Sequence, residues 1–142
     1  MRSLVIGVLT LAALACGGGD ASSSASGGAG AAPAQAALSF DPANITEAQL
    51  ALGDSIFHGK IGANSCQACH GEKGDAGIVA PKLNDAEWLH SDGSLEAIYK
   101  TIKSGVMSPK QFSSVMPPYG GSMMTDERTL AVAAYVYKLS HP

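Results

Sequence analysis

At 142 residues the chain is long enough for one small domain and some tail. Hydrophobic residues make up 46% and the net charge is −3 with His neutral, so no basic footprint points to a nucleic-acid partner. Three cysteines are too few and too irregularly placed for a disulfide framework, and 17 glycines in so short a chain imply much loop or linker.

The chain opens with Arg2 and an apolar run from Leu4 to Ala15. That run is too short to span a bilayer and suits the apolar core of an export signal. It ends in Ala15-Cys16-Gly17. A small residue followed by Cys at this place resembles the lipobox of bacterial lipoproteins, in which the cysteine is diacylated on sulfur and becomes the mature N-terminus. The resemblance implies a signal peptide over 1–15, a lipid anchor on Cys16 and attachment to the periplasmic side of a bacterial membrane. Gly17 lacks the acidic character that favours inner-membrane retention in that family, which implies the outer membrane. The pattern departs from the family at Ala13 and Leu14, where Leu and a small residue are usual. The alternative is an ordinary signal cut near residues 13–15, leaving a soluble periplasmic protein with Cys16 incidental.

Residues 16–39 are mainly Gly, Ala and Ser, with no periodic apolar face to bury. They read as a flexible linker with an r.m.s. reach of about 25 Å. The folded domain is expected over 40–142. Thr46-Glu47-Ala48-Gln49 predicts a capping box opening a helix to about His58, with Leu50, Gly53, Ile56 and Phe57 on one face. Ser94 predicts the N-cap of a second helix, whose Leu95, Ile98, Tyr99 and Ile102 repeat at helical spacing and which Gly105 closes. Thr125 predicts the N-cap of a last helix, with Asp126 and Glu127 in its first turn and a stripe of Val132, Tyr135, Val136 and Leu139. A short helical turn is expected around Asp85–Leu89, and no segment alternates as a strand. The long Pro- and Gly-bearing loop between Gly105 and Thr125 needs a ligand to hold it.

Cys66-Gln67-Ala68-Cys69-His70 is the attachment signature of c-type haem. Each thiol adds across one haem vinyl, the spacing lets both sulfurs act from one helical turn, and His70 then faces the iron. Three other readings use the same residues: a zinc site, which needs four ligands and finds no second knuckle; a thioredoxin-like redox pair, which lacks a βαβ context; and a local disulfide. Met116, in Val115-Met116-Pro117-Pro118, is the expected second axial ligand. A neutral thioether suits low-spin iron, and the two prolines stiffen the chain that presents it. Met107, Met123 and Met124 are its rivals. His58, His90 and His141 are expected on the surface rather than at the iron.

Residues 58–74, Pro81-Lys82-Leu83 with Trp88-Leu89-His90, Met116-Pro117-Pro118 and Ala134-Tyr135-Val136 together resemble class I cytochromes c. They look most like the haem domains of subunits of respiratory haem–copper oxidases. The resemblance implies a small all-α fold with crossed N- and C-terminal helices around one covalent haem c. It implies that Gly53 and Phe57 cross the last helix near Tyr135, and that the Pro81 carbonyl accepts the Nδ1 proton of His70. The family often has Gly before that proline; here it is Ala80. Trp88 either donates its indole N–H to a haem propionate or simply packs.

With His70 and Met116 on its two faces the iron has no open position. That points to a carrier of single electrons between membrane or periplasmic redox proteins, with no small-molecule substrate and no enzymatic activity of its own. The alternatives are a cytochrome subunit held permanently in a respiratory or photosynthetic complex, and a haem-based gas or redox sensor. Lys73, Lys82, Lys100, Lys103 and Lys110 flank the two ligand segments in sequence. Either they form a basic docking ring for an acidic partner, or they are a solvated population without a role.

Overall fold

The computed structural model describes residues 37–63 and 65–142. The expected signal peptide, Cys16 and the expected linker up to residue 36 lie outside the described residues. Among the described residues four α-helices follow in order: α1 (Glu47–Phe57), α2 (Gln67–His70), α3 (Leu95–Ser104) and α4 (Asp126–Ser140). Among the described residues there is no strand, only an isolated antiparallel bridge between Val106 and Met116.

Each long helix begins where its cap residue puts it. Thr46 Oγ1 accepts from Gln49 N and Gln49 Oε1 accepts from Thr46 N, both at 3.2 Å, closing the capping box of α1. Ser94 Oγ accepts from Ala97 N at 3.2 Å, and Thr125 Oγ1 from Arg128 N at 3.3 Å. The expected helical turn at 85–89 does not form. Asp85 instead accepts from Glu87 N at 3.0 Å, a local side-chain bond that competes with helical backbone bonding.

The core lies between α1, α3 and α4. All four stripe residues of α3 are buried. So are Gly53, Ile56 and Phe57 of α1, while Leu50 is half-buried. The buried face of α4 is wider than its stripe. It includes Thr129, Leu130, Ala131, Ala133 and Ala134, because the other two helices pack against different sides of it. Tyr135 and Leu139 are half-buried at the margin. Thr129 is fully buried, and its hydroxyl donates to the Thr125 carbonyl at 2.9 Å. The crossing of α1 and α4 depends on Gly53. A Cβ there would strike the Ala131 carbonyl and lie 2.7 Å from Tyr135 Cβ. Beside it Phe57 packs on Tyr135 with ring centroids 5.2 Å apart.

A polar clamp ties the far end of α3 to the start of α4. Asp126 accepts from Lys103 Nζ at 2.6 Å and from the Tyr99 hydroxyl at 2.8 Å.

Candidate functional site

The core helices leave one large cleft, about 1230 Å³ and open to solvent. Phe57, Ile98, Ile102, Val132 and Val136 form its apolar floor. The same residues thus serve the core and the site.

One wall is the attachment motif. Cys66 starts the turn of α2 and is half-buried, Cys69 is exposed, and His70 is buried. All three line the cleft, and no disulfide joins the cysteines. Burial pushes the Cys66 thiol pKa up and the His70 pKa down. The Pro81 carbonyl lies 2.9 Å from His70 Nδ1 and pulls the His70 pKa back part of the way. With Nδ1 donating to that carbonyl, the neutral ring keeps the lone pair of Nε2 for a metal. The Pro81 segment is itself fixed by Leu83 N donating to the Gly74 carbonyl at 2.7 Å. Ala80, where the resemblance has Gly, is buried in the cleft wall without disturbing this contact.

The facing wall is the 105–121 loop. Val106 and Met116 exchange backbone hydrogen bonds of 2.7 and 3.0 Å, so the loop closes on itself and brings Met116 back beside the end of α3. Gly105 permits this. Its φ is +70°, and a Cβ there would lie 2.6 Å from Pro118 N and 2.7 Å from the Pro117 carbonyl carbon. Met116 is half-buried in the cleft wall. Of its three rivals, Met107 and Met123 are 64% and 95% exposed and stand outside the cleft, whereas Met124 lines it. Beyond Met116, Pro118–Gly121 forms a 3-10 turn in which Tyr119 takes φ +56°.

Trp88 stands in the cleft wall, packs against the core and lies over Gly93, where a Cβ would come within 2.6 Å of its ring. His141 is exposed and stacks on Tyr137, as a surface residue should. His90 is not free surface. It is half-buried in the cleft wall, with Nε2 accepting from Lys110 N at 3.4 Å. His58 also departs from the expectation. Its side chain is only 16% exposed, and each ring nitrogen lies within hydrogen-bond distance of a backbone carbonyl.

Of the five lysines only Lys82 lines the cleft. Lys100 pairs with Glu96 at 2.7 Å and Lys103 with Asp126. Composition and spacing near a motif carried no information on which acids these chains would meet.

The donors gathered here are two thiols, one imidazole nitrogen and a thioether around an apolar slot. That is the set a covalently attached, axially ligated porphyrin uses. Ser65 Oγ, next to Cys66 in the cleft wall, is buried with no hydrogen-bond partner, as a wall built for another group would leave it. A zinc site fits poorly: among the described residues no three His, Cys, Asp or Glu side chains group to hold a metal.

The family described as cytochrome C oxidase, cbb3-type, subunit III matches residues 59–136. The chain belongs to this family. It is a monohaem class I c-type cytochrome with covalently attached haem c, an electron carrier. It is 31% identical over 109 residues to the cbb3-type cytochrome c oxidase subunit CcoP of Rhodobacter capsulatus, covering 73% of this chain and 34% of that one. It is 35% identical over 94 residues to cytochrome c6 of Chlorolobion braunii, covering 64% of this chain and 91% of that one. The chain thus spans about a third of the oxidase subunit and nearly all of the small cytochrome. Among solved structures, cytochrome CL of Methylophaga aminisulfidivorans shares the fold, with a TM-score of 0.50 and 22% identity over 66% of this chain and 54% of that one.

Proposed function

We propose that this cytochrome is a tethered single-electron shuttle, with haem bonded to Cys66 and Cys69 and ligated by His70 and Met116. The observation that carries the reading is the convergence of these four side chains on one apolar cleft, although Met116 is far from the others in sequence. Bound there, haem c supplies an iron that changes valence by one electron. The chain's own residues do the rest. The thiols fix the group covalently, and Pro81 holds the His70 tautomer. The Val106–Met116 bridge holds the thioether, and the core residues of the floor exclude water. With His70 and Met116 both given to the group, the chain would leave no place on it for a substrate, which supports a carrier of electrons over an enzyme.

Export to the periplasm and a lipid on Cys16 complete the proposal, supported by the apolar run at 4–15 and the Ala15-Cys16-Gly17 junction. Among the described residues no helix is long and apolar enough to cross a membrane. An anchor at the far end of a linker of about 25 Å reach would keep the domain near membrane partners and raise its effective concentration there.

Three measurements test the parts separately. Intact mass should include one haem that survives acid–acetone extraction; extractable haem overturns the attachment. The ferric protein should show the red-end charge-transfer band of iron–thioether bonding, and Met116→Ala should abolish it; a surviving band would transfer the role to Met124. Cys16→Ser should release the protein from membranes into the soluble periplasmic fraction. The reading as a subunit of an oxidase complex is favoured by the match to CcoP. Mild detergent extraction tests it, since a stoichiometric complex would replace the free shuttle.

A further inference from the structure

We infer that His58 is a positioning residue for His70, gripping the haem-attachment turn from both of its ends. The inference rests on the assignment of His70 as an iron ligand. His58 caps the C-terminus of α1, one residue after the core residue Phe57. Its Nε2 donates to the carbonyl of Glu72 at 3.0 Å, just beyond His70. Its own carbonyl accepts from the Gln67 side chain at 3.4 Å, just after Cys66. The residue therefore touches the attachment turn on its entering and leaving sides.

The ring faces acceptors from behind as well. Nδ1 lies 2.8 Å from the Asp54 carbonyl and 3.1 Å from the Asp54 carboxylate, which also binds Lys60 Nζ at 3.1 Å; a ring carrying a proton on each nitrogen donates on both sides, whereas the neutral ring with its proton on Nε2 keeps only the bond to Glu72. Phe57 and Tyr135 meet the imidazole nearly edge-on, with centroids 5.3 and 5.9 Å away. The α1–α4 crossing is the most extensive packing between two helices among the described residues, and His58 links it to the turn bearing His70. On the opposite side the Pro81 carbonyl is the one hydrogen-bond partner of the His70 ring among the described residues. Loss of the grip should let the turn, and with it the His70 ring plane, adopt more than one orientation.

The test compares His58→Leu, which keeps bulk but no ring nitrogen, with Ile56→Val, a core truncation on the same helix outside the cleft wall. Wild type should give one low-spin ferric EPR species. If wild type lacks the signature of His ligation, the assignment of His70 fails, whatever His58 does. Given that signature, His58→Leu should broaden or split the signal and shift the reduction potential. Ile56→Val should lower Tm while leaving both unchanged. His58→Gln, which can still donate to Glu72, should restore a single species. A wild-type signal and potential in His58→Leu, or equal disturbance by Ile56→Val, overturns the inference. Should His58→Leu fail to accumulate with haem, Gln67→Ala removes one side of the grip and must then show the same splitting in milder form.

Discussion

Asp126 serves the fold in two ways. It is the first residue of α4, where a negative charge complements the helix dipole, and it accepts from both Lys103 and Tyr99 on α3. The bond from Lys103, then that from Tyr99, holds its pKa below the usual carboxylate range. Lys103 is pushed well above the usual lysine range, chiefly by its bond to Asp126. Burial, then the bond to Asp126, raises Tyr99. The lowered carboxylate pKa means that the ionised acid favours the folded state. Its contribution is complete above about pH 4 and is lost as pH falls through the depressed folded value. Lys103 contributes below about pH 10.4 and loses its share as pH rises further. Asp126→Asn should therefore lower Tm at neutral pH by a few degrees at most, since the pair is half-exposed. The difference from wild type should close when both are melted near pH 2. A gap that persists unchanged at that pH would remove the charge from the explanation.

At the scale of elements, two glycines set where the helices and the ligand loop can go. Gly53→Ala gains about 1 kcal/mol of helix propensity, yet its Cβ would collide with the Ala131 carbonyl and Tyr135 Cβ across the crossing. Overpacking of about 1–3 kcal/mol should win, lowering stability in denaturant titration. Gly105→Ala faces both a positive φ and the backbone of Pro117 and Pro118. It should weaken the thioether charge-transfer band more than Gly53→Ala does, because its collision falls on the Met116 segment. The long helices were legible because their signals are local: Thr46, Ser94 and Thr125 are caps whose partners lie three residues on. The attachment turn was legible because its chemistry fixes its spacing. The turn at 85–89 was misread because Asp85 had two local uses and propensity does not choose between them. His58 was missed because its partners, Glu72 and Gln67, are set by how the turn lies against α1. No periodicity marks such a contact.

For the whole molecule, the distribution of charge around the cleft bears on how it meets a partner. Lys82 is the only lysine in its wall, and the exposed Val115 stands beside Met116. Lys100 and Lys103 spend their charge within the protein. Association at this mouth should be governed more by apolar contact than by steering. The rate of electron exchange with the native partner should fall only slightly from low to physiological salt, not by the roughly 10–10³-fold of strongly steered pairs. Lys103→Glu should affect stability through Asp126 before it affects that rate. A steep salt dependence relieved by Lys82→Glu would restore a basic docking site.

The uneven exposure of the methionines also shapes how the protein ages under oxidants. Met107 and Met123 offer their sulfurs to solvent, while Met116 is half-sheltered in the cleft wall. Peroxide converts accessible thioethers to sulfoxides, which are poorer partners for iron and for apolar surfaces. A limiting dose should therefore mark positions 107 and 123 first, seen as added oxygen in peptide mass spectra, while the visible spectrum of the holoprotein stays unchanged. The spectrum should change only when the sulfoxide reaches position 116. On that account positions 107 and 123 should take up oxidant before the sulfur proposed to hold the iron does.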